Sequence, residues 1–257
     1  NLSHPFMASL VKHVENNLYT NGYKCKLCEV GDNQNRIEEF VEMLQRNVMD
    51  GIICCADIPS SVSLAEIHRP IVMVDRCGAE GIPCVHSDHK RGGELAAQAL
   101  LSAGCKNVIY FASSATERGY SRDRYRRFAE VCKQHKCKVT AIDEGSKIPS
   151  FQTGPTIWKK YISHFDGVDG VFTADVTAAA CMKMLQKKGI KIPKKLKVVG
   201  YDGDFTRFLT PELTTVRQNI PEIAKRSVDT VIRMIDGKKI EEMEQIVDVT
   251  FRKGEST

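Results

Sequence analysis

The feature that most constrains the fold is an alternation of amphipathic helical stretches with short apolar runs. Apolar residues recur at helical spacing in residues 6–18 and again in residues 37–48. Compact apolar runs at residues 51–55 and 71–74 lie between or after these stretches, and such runs are typical of fully buried strands. Helices that alternate with buried strands predict parallel sheets covered by helices on both faces.

The same alternation continues along most of the chain. It predicts helices at residues 93–102, 123–134, 156–164 and 177–188, and strands at residues 108–112, 138–142, 170–173 and 196–201. Late in the chain, residues 213–216 are predicted to form a strand, and residues 223–235 show the most regular apolar spacing of a helix in the sequence. A chain of 257 residues is long enough to divide into two lobes. We therefore expect an α/β protein of two lobes joined by several crossings.

Composition narrows the class of protein. The sequence has no apolar run long enough to span a membrane and no basic segment followed by an apolar one at its start, so it is expected to be cytoplasmic, with no membrane partner. The formal charge of +5 is modest. Its densest basic cluster, residues 187–197, flanks a turn, which favours a solvated rim over a phosphate-binding track.

Ten cysteines occur, most of them within apolar runs. This pattern favours reduced, buried thiols over a disulfide framework. The pair Cys25 and Cys28, in a stretch that reads as a strand, has the spacing of a metal site, but a structural zinc ion needs four ligands. Two packed thiols are the preferred interpretation, so no metal and no cofactor are expected.

Three carboxylates follow apolar runs directly or nearly so. Asp75 ends the run at residues 71–74, Asp175 lies just beyond residues 171–173, and Asp202 follows residues 198–201. In open parallel sheets, ligands bind outside the carboxyl ends of the strands, where carboxylates can accept hydrogen bonds from hydroxyl groups. The alternative is that each aspartate only terminates a buried strand.

Two motifs carry a resemblance to a known family. The glycine, aromatic and aspartate at residues 200–202, followed by the leucine, two threonines and glutamine of residues 213–218, resemble the paired signature of LacI-type transcription regulators. Further likeness occurs at residues 3–6, 50–53, 70–76, 88–108, 124–128 and 188–193.

The resemblance implies a periplasmic-binding-protein-like fold of type I. Each lobe would be a parallel sheet flanked by helices, and three crossovers would join the lobes around an effector cleft. Residues 1–104 and 219–240 would form the N-terminal lobe, on the side of the dimer and of the DNA-binding domain. Residues 105–218 and 241–257 would form the C-terminal lobe.

The resemblance also implies a set of ligand-binding residues. Arg124 matches the arginine that grips the effector, and its planar guanidinium suits paired hydrogen bonds to adjacent hydroxyls or to a carboxylate. Phe151 is a candidate stacking partner for the face of a sugar ring. The other candidates, each matched to a family position near the ligand, are Phe6, Met7, Asp88, Asp175, Asp202 and Gln218.

This chain departs from the family pattern at several positions. Ala174 stands where the family usually has asparagine, Arg127 where it has glycine, and Cys105 where it has histidine. One contact to the effector is therefore expected to be missing, and the identity of the ligand does not transfer. The family's helix-turn-helix, hinge and first strand do not occur in this sequence, so we do not expect this chain alone to bind operator DNA.

The expected function is that of the effector-sensing and dimerising core of a transcription regulator, with a sugar or sugar phosphate as the effector and a homodimer as the assembly. Alternatives are a sugar-binding protein for uptake and a family member regulated by a protein effector. An enzyme would need Asp175 and Asp202 as acid and base with His86 or His89 nearby. No catalytic motif accompanies them, and the two histidines read as isolated surface residues.

Overall fold

The computed structural model describes residues 2–30, 35–56, 69–76, 81–112, 120–143, 160–203 and 205–257. It divides into two compact units. Unit 1 comprises Asn1–Leu2, Met7–Ser87 and Asn219–Val247, and unit 2 comprises Ser3–Phe6, Asp88–Gln218 and Asp248–Thr257. The lobes expected from the sequence divide the chain at residues 104 and 240, whereas these units divide it at residues 87 and 247.

The described elements alternate between helix and strand over most of the chain. The helices are α1 (Pro5–Thr20), α2 (Asn35–Gln45), α3 (His89–Ser102), α4 (Tyr120–Gln134), α5 (Asp175–Lys187) and α6 (Ile220–Ile235). The strands are β1 (Ile52–Cys54), β2 (Ile71–Val74), β3 (Cys84–Ser87), β4 (Asn107–Ala112), β5 (Lys138–Asp143), β6 (Gly170–Phe172), β7 (Lys197–Asp202), β8 (Thr214–Gln218), β9 (Glu244–Val247) and β10 (Val249–Arg252).

Unit 1 contains a parallel sheet with the strand order β1, β2, β3, β9. All four residues of β2 are buried, as expected for a strand of a parallel sheet that is covered on both faces. Helix α6 contacts β1, β2, β3 and β9. Gly51 precedes β1 at a point where a Cβ atom would lie 2.7 Å from Cγ2 of Val231 in α6, so the absence of a side chain there permits this close packing.

Unit 2 contains a six-stranded sheet with the order β10, β8, β7, β6, β4, β5, in which only β10 is antiparallel to its neighbour. Alternate residues of β4 face opposite sides. Tyr110 joins a core cluster with α3 and α4, whereas Ile109 and Phe111 join a second cluster with α5. The expected α/β class with mostly parallel sheets and flanking helices is confirmed.

Some local predictions differ from the structure. Strands β3, β9 and β10 were not predicted. Residues 156–159 of the helix expected at residues 156–164 lie outside the described residues, and residues 162–165 form a short 3-10 helix. Cys25 and Cys28 lie in a stretch without regular secondary structure, with Cys25 exposed and Cys28 partly buried. The prediction of a strand with two packed thiols at this pair was therefore wrong.

Within the part of the chain that the structure describes, no helix is both long enough and apolar enough to cross a membrane. The nine described cysteines are all free thiols. Five of them are buried, namely Cys84, Cys105, Cys132, Cys137 and Cys181. The tenth, Cys77, lies outside the described residues.

Candidate functional site

Arg124, the first candidate from the sequence, lies in the second turn of α4 against two tyrosines. Its Nε donates a hydrogen bond to the Tyr110 hydroxyl at 3.3 Å, and its guanidinium carbon lies 3.9 Å from the centre of the Tyr201 ring. A cation at this distance over an aromatic face is held by a cation–π interaction. Among the described residues, no hydrogen-bond acceptor engages the terminal Nη groups of Arg124.

The guanidinium of Arg124 stays protonated. Burial alone would lower the pKa of its guanidinium, but Tyr110, Tyr201 and Asp202 outweigh burial, and the pKa is raised above its ordinary value. Arginine is already protonated at every pH at which proteins are folded. The surroundings therefore fix a permanent cation with a planar set of donors.

Two glycines in α3 bring that helix close to this cation. A Cβ atom on Gly93 would lie 2.2 Å from the carbonyl oxygen of Arg124, and one on Gly92 would lie 2.7 Å from Cε2 of Tyr201. Neither position tolerates a side chain without movement of its neighbour. The consecutive glycines thus set the position of the α4 backbone and of the tyrosine beneath the guanidinium.

Tyr201 is itself held by His89 in the first turn of α3. The Tyr201 hydroxyl and Nδ1 of His89 are 3.0 Å apart, and the imidazole stacks on the rings of Tyr120 and Tyr201 with centroid separations of 5.7 and 5.8 Å. His89 and His86 are each only 4% exposed. The prediction that these histidines lie isolated on the surface was wrong, because both are buried and hydrogen-bonded.

Asp202 and Gln218 form a second polar pair at the carboxyl ends of β7 and β8. Nε2 of Gln218 donates to Oδ1 of Asp202 at 2.8 Å, and Nε2 of His4 lies 3.9 Å from Oδ2 of the same carboxylate. Asp202 has a φ of +118°, a conformation that costs free energy in a residue other than glycine. The contacts of Asp202 with its neighbours, including Gln218, therefore stabilise this conformation.

Asp175 has a different environment from Asp202. It begins α5 and is 1% exposed. Its Oδ2 accepts a hydrogen bond from the Gly203 amide at 2.7 Å, and its Oδ1 accepts one from the Thr215 hydroxyl at 2.8 Å. Gly200 permits this approach, since a Cβ atom there would lie 2.0 Å from Oδ1. Asp175 therefore connects β7, β8 and α5 next to Asp202.

The remaining candidates are dispersed. Asp88 caps the amino end of α3, because its Oδ1 accepts the Arg91 amide at 2.8 Å. Phe6 is buried and Met7 is partly buried near the start of α1, and Phe151 lies outside the described residues. Asp75 ends a strand of the sheet in unit 1, so the three strand-end carboxylates belong to two different sheets.

Of the predicted set, Asp202 and Gln218 form a hydrogen-bonded pair in unit 2. Arg124 lies over Tyr201, the residue before Asp202, and the negative charge of Asp202 contributes to the raised pKa of Arg124. Tyr110 and His89 were missed as members of this cluster. The sequence around these two residues did not indicate their contacts, because their partners Arg124 and Tyr201 are distant in the sequence. Among the described residues, no group of three or more histidine, cysteine or acidic side chains could hold a metal ion.

Comparisons with known proteins identify the family. Residues 97–257 match the model of the periplasmic binding protein-like domain. The sucrose operon repressor of Streptococcus mutans is 32% identical over 258 aligned residues, which cover 100% of this chain and 78% of the repressor. The ribose operon repressor of Halalkalibacterium halodurans is 31% identical, with 93% and 72% covered.

Solved structures agree. A LacI family transcriptional regulator from Enterococcus faecium, with bound ribose, superposes with a TM-score of 0.86 at 25% identity and covers 100% of this chain and 96% of its own. The family match includes Arg124, Asp202 and Gln218, and the alignment with the sucrose operon repressor covers the whole chain. This chain therefore belongs to the periplasmic binding protein-like domain family, in the branch formed by the LacI-type transcription regulators.

Proposed function

We propose that this chain is the effector-sensing core of a transcription regulator and that its effector is a sugar or a sugar phosphate. The observation that carries the proposal is the guanidinium of Arg124, whose carbon lies 3.9 Å from the centre of the Tyr201 ring and whose Nη groups no acceptor among the described residues engages. A planar fork of donors fits two adjacent hydroxyls or a phosphate. The operon-repressor relatives named for sucrose and ribose and the structure with bound ribose support this ligand class.

Asp202 and Gln218 complement Arg124 as acceptors and donors. One carboxylate oxygen of Asp202 accepts from Gln218, and the other faces His4. A ligand hydroxyl can donate to this carboxylate, which has capacity for more than one hydrogen bond per oxygen. We assign the direct contacts to Arg124 and Asp202, and we assign Gln218 to the orientation of Asp202.

The environments of Asp175 and Asp202 favour ligand binding over acid–base catalysis. An acid–base pair would need two carboxyl groups that reach the substrate. Asp175 is buried and both of its oxygens accept hydrogen bonds within unit 2, so it serves the fold around Asp202. We therefore propose that the chain is not an enzyme.

The proposal extends to the assembly and its location. We infer a cytoplasmic homodimer that engages operator DNA through a helix-turn-helix domain carried elsewhere in the regulator. Effector binding would favour one conformation of the core over another, and its effect on DNA binding would depend on its differential affinity for the two. Light scattering of the purified chain tests the dimer, and a mass near the 28.7 kDa of one chain at micromolar concentrations would contradict it.

Isothermal titration calorimetry tests the ligand class and the site together. The wild-type chain is titrated with D-ribose, sucrose and ribose 5-phosphate, and so are the variants Arg124→Ala and Arg124→Lys. Loss of a charge-assisted hydrogen bond costs about 1.5–3 kcal/mol, so Arg124→Ala should weaken binding by about 10-fold or more. Arg124→Lys keeps the charge but loses the planar fork, and it should also bind more weakly than wild type.

The matched control is Arg126→Ala, since Arg126 lies on the same helix with an exposed side chain. It should bind as wild type does. Equal affinity of the wild type and Arg124→Ala would show that the site is elsewhere. Absence of binding by the wild type to every sugar tested, at millimolar concentrations, would contradict this ligand class.

A further inference from the structure

Two cysteines meet at the carboxyl end of α4. The helix ends at Gln134, and Lys136 has a φ of +55°, the left-handed conformation that ends many helices. The Cys137 amide donates to the Cys132 carbonyl at 2.9 Å, and the Lys136 amide donates to the Lys133 carbonyl at 3.1 Å. These two bonds define a Schellman motif, in which Cys132 and Cys137 occupy the two positions whose side chains pack on one another.

The two thiols are neighbours in one buried core cluster. Cys137 Sγ lies 3.8 Å from the Lys138 carbonyl oxygen, to which it donates. Cys132 is 0% exposed and Cys137 is 6% exposed. A disulfide needs its two sulfurs about 2.05 Å apart and its Cβ atoms about 4 Å apart, and the Schellman motif places these two side chains on the same side of the helix end.

We propose that Cys132 and Cys137 form a redox pair, a dithiol that a small peroxide converts to a disulfide across the end of α4. The bond would tie the last turn of this helix to the residue that precedes β5. Because α4 carries Arg124, oxidation would constrain the element that presents the cation of unit 2. This site is separate from the ligand contacts and does not depend on them.

The chemistry balances with hydrogen peroxide as the oxidant. The Cys137 sulfur attacks one peroxide oxygen, the O–O bond breaks, and a sulfenic acid and one water form. The Cys132 sulfur then displaces the hydroxyl group of the sulfenic acid, and its proton leaves with that group as a second water. Two thiols and one peroxide thus yield one disulfide and two waters.

The surroundings distinguish the two sulfurs. Burial raises the pKa of the Cys132 thiol to about 12, and burial also raises the pKa of the Cys137 thiol, where the neighbouring Cys132 thiol partly opposes the rise. Cys137 is also the more exposed of the two. It is therefore the first nucleophile, and Cys132 resolves the sulfenic acid. Since the thiolate is the reactive form, oxidation should accelerate as pH rises.

Peptide mapping of the native chain tests the pair. The reduced protein is treated with hydrogen peroxide at pH 7 and pH 8.5, blocked with iodoacetamide and digested with trypsin without reduction. Because lysines separate the two cysteines, the disulfide joins two otherwise separate peptides, residues 128–133 and 137–138. We expect this joined product in the wild type, with faster formation at pH 8.5.

Three variants control the test. Cys132→Ser and Cys137→Ser should lose the joined product, whereas Cys105→Ser should keep it. Cys105 is the matched control because it is a buried thiol in the same core cluster and donates to the Asp169 carbonyl at 3.4 Å. Recovery of Cys132 and Cys137 as alkylated thiols after the exposed Cys25 has been oxidised would overturn the proposal. So would a bond from Cys132 to Cys105.

Discussion

At the scale of single residues, the site depends on how two aspartates at neighbouring strand ends are used. Asp202 accepts from Gln218 and has His4 beside its second carboxylate oxygen, whereas Asp175 accepts from Gly203 and Thr215 inside unit 2. Both aspartates follow buried strands in the sequence, so pattern alone could not separate a ligand contact from a structural carboxylate. The difference depends on partners that lie 28 and 40 residues away from Asp175.

The structural role of Asp175 leads to a prediction for stability. Asp175→Asn places an amide donor where the carboxylate accepts two hydrogen bonds, so one buried donor is left facing another. Such a mismatch should lower the free energy of unfolding by about 1–3 kcal/mol, measured by urea denaturation. The control Asp166→Asn changes an exposed carboxyl group and should alter stability by less than about 0.5 kcal/mol. Equal effects of the two substitutions would contradict a structural role for Asp175.

The sequence predicted Arg124 as a ligand-binding residue but did not predict the residues that surround it. The motif around Arg124 marked it as a ligand-binding candidate through the resemblance, and the structure places it over Tyr201 with Nε on Tyr110. His89 read as a surface residue because it sits among lysine and arginine, yet it is buried against Tyr201. Buried polar contacts between distant residues are set by tertiary packing, which the local sequence does not encode.

At the scale of elements, the regular helices and the fully apolar strands were predictable, and the short strands were not. Strand β3 contains His86 and Ser87, both buried, so it lacks an apolar pattern. It pairs with β9, whose residues alternate weakly between exposed and buried. Helix α3 begins at His89 and not at residue 93, because Asp88 caps it, and such caps extend a helix beyond its apolar stripe.

The packing of α3 on α4 gives a prediction at this scale. Gly93→Ala would place a Cβ atom against the Arg124 carbonyl, where backbone must move to accept it. We expect a loss of about 1–3 kcal/mol in the free energy of unfolding, as for other overpacked sites, although alanine favours helices by up to about 1 kcal/mol over glycine.

Gly92→Ala provides the comparison for this experiment, because its Cβ would meet the ring edge of Tyr201, a side chain, and not the backbone. Thermal unfolding of both variants should place Gly93→Ala below the wild type. An unchanged or raised midpoint for Gly93→Ala would show that the two helices pack less tightly than the structure indicates.

At the scale of the whole chain, the division into two units and the family membership support the role of an effector-sensing core. The alternation of helix and strand predicted the α/β class, and the paired motifs at residues 200–202 and 213–218 predicted the family. The boundaries of the units could not be read from the pattern, because β9 pairs with β3 across a long stretch of sequence and α3 packs on α4.

A crystal structure of the chain with the sugar that binds most tightly in the titration tests whether Arg124 and Asp202 contact the effector. We expect ligand density with two ligand oxygens within about 3.2 Å of the Arg124 guanidinium nitrogens, a hydrogen-bonding distance, and a ligand hydroxyl at Asp202. Density for the sugar away from Arg124, with the guanidinium still over the Tyr201 ring and without a ligand contact, would contradict this assignment.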